Sequence, residues 1–207
     1  EDQSVEESNS MIEIRAELWS RVAQKSLDLS EYSKAQAFAK LALILVPQEP
    51  SEESQIPCAT RRWYSLAECI WGQAIASMVN PATQLKSVQD ELRMAAVTHF
   101  CLAAQWGARS KRPDLVLDAS KRFWNVNLSL MENSVTRKML FPSIRKLLLE
   151  LANSGERSDF NFRIMLYRLL FECYADDENW QGGLSAVEEA FNYIPVSHQK
   201  SLWESRM

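Results

Sequence analysis

Glycine and proline, the residues that most often interrupt helices, are rare in this chain: 207 residues contain 5 glycines and 7 prolines. The long segments between them are rich in Ala, Leu, Glu, Lys, Arg and Gln, whose side chains lose little rotamer freedom in a helix. Apolar residues recur there at helical spacing, as in the set on one face of the first segment: Met11, Ile14, Leu18, Val22 and Ala23. The sequence therefore predicts an almost all-α protein.

Proline, glycine and N-cap residues divide the chain into ten predicted helices. Their ranges are 10–27, 31–46, 59–78, 81–106, 113–131, 134–141, 142–154, 159–174, 180–193 and 197–207. Ser30, Asn80 and Asn179 are the predicted N-caps, Pro142 is predicted to separate two helices, and Gly155 is the predicted C-cap. The connections are short, so successive helices should be neighbours.

The opening residues 1–9 are acidic and polar, which predicts a linker entering a single helical array over residues 10–207. We therefore interpret the sequence as a piece of a longer chain. Its longest uncharged apolar runs are much shorter than the roughly 18 residues needed to cross a bilayer, so no membrane segment is predicted.

Few residues in this chain are suited to chemistry. Its four cysteines are far apart and lack CxxC spacing, which predicts buried, unpaired thiols: Cys58, Cys69, Cys101 and Cys173. Of the two histidines, His99 lies on a mostly apolar helix and is expected to be packed and hydrogen-bonded. Phosphate-binding loops, nucleophile elbows and zinc-protease motifs are absent from the sequence. We predict no enzymatic activity, metal or cofactor.

A two-helix unit with small and aromatic residues at fixed positions occurs at both ends of the chain. In the first copy these positions hold Trp19, Tyr32, Ala35, Ala42 and Pro47. In the last copy they hold Leu170, Tyr174, Trp180, Gly183, Ala190 and Pro195. Small residues let two helix backbones approach closely, and aromatic side chains fill the space beside them.

Degenerate copies of the same unit lie in the middle of the chain. One contains Trp63 and Leu66, and another contains Gly107, Ala119 and Phe123. The pattern resembles the tetratricopeptide repeat, about 34 residues with W-x2-L-G-x2-Y, A-x3-F and a closing proline. The resemblance implies a right-handed α-solenoid of tetratricopeptide-like helical hairpins, in which each repeat stacks on the next and the array binds other proteins. Other helical solenoids could give a similar match.

Charge is unevenly distributed along the sequence. The net charge is −6 over residues 1–57, +6 over residues 58–150 and −4 over residues 151–207. The candidate partner-binding residues, which we call the basic belt, are Lys111, Arg112, Lys121, Arg122, Arg137, Lys138, Arg145 and Lys146. Such a belt could dock an acidic partner surface, whereas the alternative is that it only solvates helix faces.

The final segment, FECYADDENWQGGLSAVEEAFNYIPVSHQKSLWESRM, resembles the family of cilia- and flagella-associated protein 46. This resemblance implies a structural component of the central apparatus in the axoneme of motile cilia, contributing to its assembly and to beat regulation. The implied partners are other central-apparatus subunits and tubulin, and no catalytic residues are implied. Two alternatives are a cytosolic peptide-binding adaptor and an RNA-binding helical solenoid, although the acidic total charge disfavours nucleic acid.

Overall fold

The computed structural model describes residues 2–44 and 56–203, without the side chains of residues 2–9, 201 and 203. The helices are α1 (Asp2–Asp28), α2 (Tyr32–Leu43), α3 (Cys58–Ser77), α4 (Lys86–Arg109), α5 (Pro113–Val126), α6 (Leu128–Met131), α7 (Ser134–Asn153), α8 (Phe160–Asp176), α9 (Trp180–Tyr193) and α10 (Lys200–Trp203), with a 3-10 turn at Val196–His198. Within these ranges the chain contains no strand, so the all-α prediction is confirmed there.

The helices form two units, with the boundary between Val126 and Asn127. The N-terminal unit contains α1–α5 and the C-terminal unit contains α6–α10. Because α1 already begins at Asp2, the helix includes most of the segment expected to be a linker. The proposed division into a linker over residues 1–9 and one array over residues 10–207 stays a prediction.

The core of the N-terminal unit is built on small side chains. α3 packs against both α1 and α2, and the residues buried there include Ala23, Ala35, Ala39 and Ala74 together with Ile70. Larger side chains such as Phe38 and Trp71 surround this cluster. Next along the chain, α4 packs on α3 and α5 packs on α4, as expected for short connections.

The large apolar residues of α1 do not face this core. Met11, Ile14 and Leu18 are 55–59% exposed, whereas Ala16, Ser20 and Ala23 are almost fully buried. Residues 16, 20 and 23 follow the three-to-four-residue helical spacing, as do 11, 14 and 18 on another face. The sequence grouping of Ala23 with the larger residues is therefore wrong, because α1 packs through its small side chains.

In the C-terminal unit, larger aliphatic side chains form the core. α7 buries residues at three- and four-residue intervals: Leu140, Ile144, Leu147, Leu148 and Leu151. α8 packs against both α7 and α9, and it contributes Leu166, Leu170 and Cys173 to the buried surface. The prediction of neighbouring successive helices also holds for these three helices.

Pro142 does not separate two helices, which corrects the prediction. α7 runs through it from Ser134 to Asn153, with Pro142 exposed to solvent. An interior proline costs a helix roughly 3 kcal/mol. Burial of Leu140 and Ile144 on either side offsets this cost, since each buried aliphatic side chain contributes about 1.5–3 kcal/mol.

The predicted helix at residues 81–106 begins later, at Lys86. Asn80 caps a turn instead of a helix, because its side-chain oxygen accepts a hydrogen bond from the Ala82 N–H. Gln84 completes this turn by accepting from the Asn80 N–H and donating to the Met78 carbonyl. The predicted helix 113–131 is likewise interrupted, at Asn127, where the backbone leaves helical geometry.

Three other predicted caps can be compared with the structure. Ser30 is not an N-cap: its φ of 61° and the hydrogen bond from its N–H to the Leu27 carbonyl close the end of α1. Gly155, with φ of 70°, follows the end of α7 as predicted. Asn179 caps α9 as predicted, since its side chain accepts a hydrogen bond from the Gly182 N–H at 2.9 Å.

Three of the four cysteines are buried, and Cys58 is exposed at the start of α3. The expectation of buried thiols is therefore confirmed for Cys69, Cys101 and Cys173 and wrong for Cys58. None of the four forms a disulfide bond. Among the described helices, none is sufficiently long and apolar to span a bilayer.

Two adjacent glycines at the start of α9 differ in the space around them. A Cβ on Gly182 would lie 2.6 Å from the Tyr174 ring, whereas a Cβ on Gly183 would lie 3.5 Å from the Tyr174 Cβ. The Tyr174 ring is itself held edge-on against Phe141, with centroids 5.0 Å apart. The sequence identifies Gly183 as the small packing position, but the close contact is at Gly182.

We predict opposite effects of alanine at these two positions. Gly183→Ala should raise the free energy of unfolding by about 0.5–1 kcal/mol, because alanine favours helix and its Cβ would meet Tyr174 at an ordinary contact distance. Gly182→Ala should lower it by about 1–2 kcal/mol, because Tyr174 must move. Urea unfolding followed by circular dichroism measures both. A shift in the same direction for the two variants would contradict the assigned contact.

Candidate protein-interaction site

The residues of the first predicted repeat lie at the contact between α1 and α2. Trp19 stacks on Phe38, with ring centroids 5.6 Å apart and planes 13° apart. Ala35 and Ala42 are buried, and Tyr32 packs against the alanine-rich cluster. Pro47 lies outside the described residues. The assignment of these residues to repeat positions stays a prediction.

The residues of the middle copies also lie in the N-terminal unit. Trp63 is half-buried, with the guanidinium groups of Arg21 and Arg62 over its ring at 5.6 and 4.8 Å. Leu66 packs against the core that α3 shares with α1 and α2. The remaining three are buried where α4 meets α5: Gly107, Ala119 and Phe123.

In the C-terminal unit, the last predicted copy is only partly packed. Leu170, Tyr174 and Ala190 are buried, but Trp180 is 66% exposed. Trp180 is the first residue of α9. Trp180 is therefore not buried, as a packing residue would be. Gly183 is half-buried, and Pro195 is exposed beyond the end of α9.

Half of the basic belt lies in the N-terminal unit, with Lys111 and Arg112 in the turn between α4 and α5 and Lys121 and Arg122 further along α5. Arg112 forms two hydrogen bonds to the Asp114 carboxylate, at 2.7 and 2.8 Å, and these hold the pKa of Asp114 below its usual value. Arg122 pairs with Asp118 one helical turn earlier, at 2.9 Å. Lys111 and Lys121 are exposed. Arg112 and Arg122 therefore have acidic neighbours on their own helix or turn.

The other half lies on α7 in the C-terminal unit. Arg137 donates two hydrogen bonds to Asp176, at 2.7 and 3.0 Å, and one to Glu172 at 2.6 Å. Lys138 pairs with Asp177 at 2.7 Å. These contacts join α7 to the end of α8, and they involve residues 35–39 positions apart in the chain. Arg137 and Lys138 therefore connect two helices in addition to carrying surface charge.

Arg145 and Lys146 are different from the preceding pair. Within the part of the chain that the structure describes, neither forms an ion pair. Arg145 is exposed and Lys146 is half-exposed. Their charges are therefore available to an acidic partner, which distinguishes them from the ion-paired cations of the belt.

The hydrogen-bond partner of His99 on α4 is Glu68 on α3, which was not identified from the sequence. The His99 Nδ1 atom lies 2.6 Å from Glu68 Oε2, and its ring stacks on Trp71 with centroids 4.3 Å apart. Glu68 is 7% exposed, so its carboxylate depends on this contact within the core. The expectation that His99 is packed and hydrogen-bonded is confirmed.

The buried thiols are poor nucleophiles in this environment. Burial raises the pKa of Cys69 to about 12 and that of Cys173 to about 12, so both are protonated at neutral pH. Among the residues described, no cluster of three or more His, Cys, Asp or Glu side chains could hold a metal ion. The polar side chains described above therefore act either by binding a neighbouring helix or by staying exposed, where a partner protein can reach them.

No family model matches this chain. A curated relative is cilia- and flagella-associated protein 46 of Chlamydomonas reinhardtii, which is 24% identical over 185 residues. The match covers 84% of this chain and 7% of the relative. The chain is thus similar, over most of its own length, to a short part of a protein associated with cilia and flagella.

The ion pairs between α7 and α8 lead to a prediction with a pH dependence. Arg137 lowers the pKa of Asp176, so this carboxylate stabilises the fold above the ordinary aspartate pKa of about 4 and ceases to do so as the pH falls through its lowered value. Asp176→Asn should lower the free energy of unfolding by about 1–2 kcal/mol at pH 7. The difference from the parent should shrink as the pH falls below about 4 and should vanish once the pH is below the lowered pKa of Asp176.

Asp177→Asn is the matched control, because the Asp177 side chain is 51% exposed whereas that of Asp176 is 14% exposed. We expect no measurable change for this control at either pH, since exposed ion pairs contribute little. Denaturant unfolding between pH 2 and pH 7 measures both variants. If both substitutions lowered the free energy of unfolding equally, the two hydrogen bonds between Asp176 and Arg137 would have no special importance for stability.

Proposed function

We propose that this chain is a non-enzymatic scaffold module in the axoneme of motile cilia, as a structural component of the central apparatus that contributes to its assembly and to beat regulation. The similarity to the Chlamydomonas protein over 84% of the chain supports this proposal. The relative is about fourteen times longer than the matched part, so the proposed module is one section of a larger scaffold. Its role is to hold neighbouring proteins in fixed positions.

We infer further that the helical hairpins are tetratricopeptide-like repeats of a right-handed α-solenoid. Two observations support this inference. α3 packs against both helices of the preceding α1–α2 hairpin, which is how one repeat stacks on the next. Ala35 and Ala39 are buried where α2 meets its neighbours, as close packing of hairpins requires.

The proposed docking residues are those of the basic belt, four in each unit. Their partner is an acidic protein surface such as a central-apparatus subunit or an acidic tubulin tail. Arg145 and Lys146 are the strongest members because no carboxylate of the described residues neutralises them. Exposed cations act over about 10 Å at 0.1 M salt, which is sufficient to steer an acidic partner toward them.

The cellular test is affinity purification of the full-length parent protein from ciliated and non-ciliated cells, followed by mass spectrometry. We expect central-apparatus proteins in the ciliated sample alone. Chaperones or signalling proteins in both samples would instead favour a cytosolic peptide-binding adaptor. RNA-processing factors in both samples would favour an RNA-binding solenoid. Either of these outcomes would overturn the axonemal proposal.

The docking surface is tested by charge reversal at Lys121, Arg122, Arg145 and Lys146. Binding to microtubules at low salt should weaken by about tenfold or more, because four favourable charge contacts of ~0.2–1 kcal/mol each become repulsive. The remaining binding should also depend less on salt. Microtubules lacking the acidic tubulin tails should bind the parent and the variant equally weakly.

The control for this test is the double variant Arg15→Glu and Lys25→Glu, which reverses two exposed cations of α1 outside the belt. It is compared with the double variant Arg145→Glu and Lys146→Glu, because both double variants change the net charge by the same amount. Only the second double variant should weaken binding. Unchanged binding at low salt for the belt variants would remove the belt from the proposal.

A further inference from the structure

A cavity of about 340 Å³ lies in the C-terminal unit, apart from the residues of the basic belt. Three segments form it: the end of α7, the turn that leads into α8, and the end of α9. Its charged and polar lining comes from Glu156, Arg157, Arg163, Asn192 and Tyr193. Its apolar lining includes Phe160, Ile194 and Pro195. The cavity therefore combines charged groups with an apolar wall.

Arg163 is the central charged group of this cavity, and it is only 4% exposed. Its Nη2 atom donates hydrogen bonds to the Leu151 carbonyl at 3.0 Å and to the Glu156 carbonyl at 2.7 Å. Its buried Nε atom has no hydrogen-bond partner among the described residues. Burial lowers the pKa of Arg163, which means that its charged form lacks sufficient compensation. An additional anion would provide it.

The charges around the cavity do not balance. The Glu156 carboxylate lies 3.6 Å from Arg163. Its Oε1 atom accepts hydrogen bonds from Ser158 and from the Asp159 N–H, whereas its buried Oε2 atom has no hydrogen-bond partner among the described residues. Arg157 is exposed, and its charge further lowers the pKa of Arg163, so the two cations repel each other. Two arginines with one carboxylate leave one positive charge in excess, which favours a ligand with a single negative charge.

One wall of the cavity is held in place by the chain that follows α9. The Gln199 side chain donates to the carbonyls of Phe191 and Ile194, at 3.1 and 2.7 Å. Ile194 itself is 2% exposed, and Phe160 contacts His198 with ring centroids 5.4 Å apart. This wall is therefore formed before any ligand binds, which lowers the entropy cost of binding.

We propose that this cavity binds one acidic side chain, Glu or Asp, of a partner polypeptide, with an adjacent apolar side chain against Phe160 and Pro195. The carboxylate would lie between Arg157 and Arg163, and the side chains of Asn192 and Tyr193 could donate further hydrogen bonds to it. An acidic residue with an apolar neighbour fits the single excess charge and the volume better than a run of acidic residues. This inference goes beyond the proposed function and does not depend on it.

The test uses ¹H–¹⁵N NMR of the complete 207-residue chain with the dipeptide N-acetyl-Leu-Glu-amide. We expect saturable shifts of the Gly155, Arg157 and Asn192 amides at millimolar concentration, where a ligand of this size should bind. The uncharged N-acetyl-Leu-Gln-amide should bind at least about fivefold more weakly, because it lacks the charge. Equal binding of the two peptides, or no saturable shift, would overturn the proposal. Equal shifts with inorganic phosphate alone would also overturn it, because they would show anion binding without recognition of a peptide.

Two variants test the role of the charge at the cavity. Arg157→Gln should weaken binding of the Glu peptide about threefold or more without unfolding the chain, since Arg157 is exposed. Arg145→Gln is the matched control, because it removes the same charge from the same unit but does not line the cavity. Equal weakening by the two substitutions would show a general charge effect and would overturn the proposed site.

Discussion

Close packing of helix backbones through alanine is the constraint on which the N-terminal unit depends. Ala23, Ala35, Ala39 and Ala74 meet where α1, α2 and α3 come together, and they leave no side-chain bulk to separate the backbones. The larger residues must then lie beside this contact, as the stacked rings of Trp19 and Phe38 do. The alternative is the outer face of a helix, where the large apolar residues of α1 lie. A larger side chain at one of these alanines would displace whole helices, because a packed core has no space to absorb it.

The C-terminal unit is stabilised in a different way. Its core consists of leucine and isoleucine from α7 and of α8 residues such as Leu166, and charged contacts at the edges fix the positions of the helices. Arg137 binds the end of α8, and Arg163 binds the end of α7 through the Leu151 carbonyl. The second contact gives a further donor to a helix-terminal carbonyl that also accepts a hydrogen bond from the Ser154 hydroxyl at 3.0 Å. The same arginine thus fixes the turn between α7 and α8 and places a charge in the adjacent cavity.

Local signals in the sequence predicted only part of the local structure, since two of the three predicted N-caps, Ser30 and Asn80, do not cap a helix. Asn179 and Gly155 were identified from the chemistry of helix ends, and most helix ranges were found from apolar spacing and composition. Pro142 was misjudged because its local preference is weaker than the burial of Leu140 and Ile144, which depends on packing against other helices. The face of α1 was misjudged because apolar periodicity gives greater weight to Met11 and Leu18 than to alanine. The forked contact of Arg137 and the cavity around Arg163 require residues that only the folded chain brings together.

The contrast among the cysteines has a practical consequence for studying this molecule. Cys58 is exposed at the first residue of α3, while the other three thiols lie inside the helical units, and two of them are protonated at neutral pH. A maleimide dye should therefore attach at one position without any engineered substitution. That position is on the helix that packs against both α1 and α2, so the attached fluorophore would report on the hairpin contact from a defined point on the native chain.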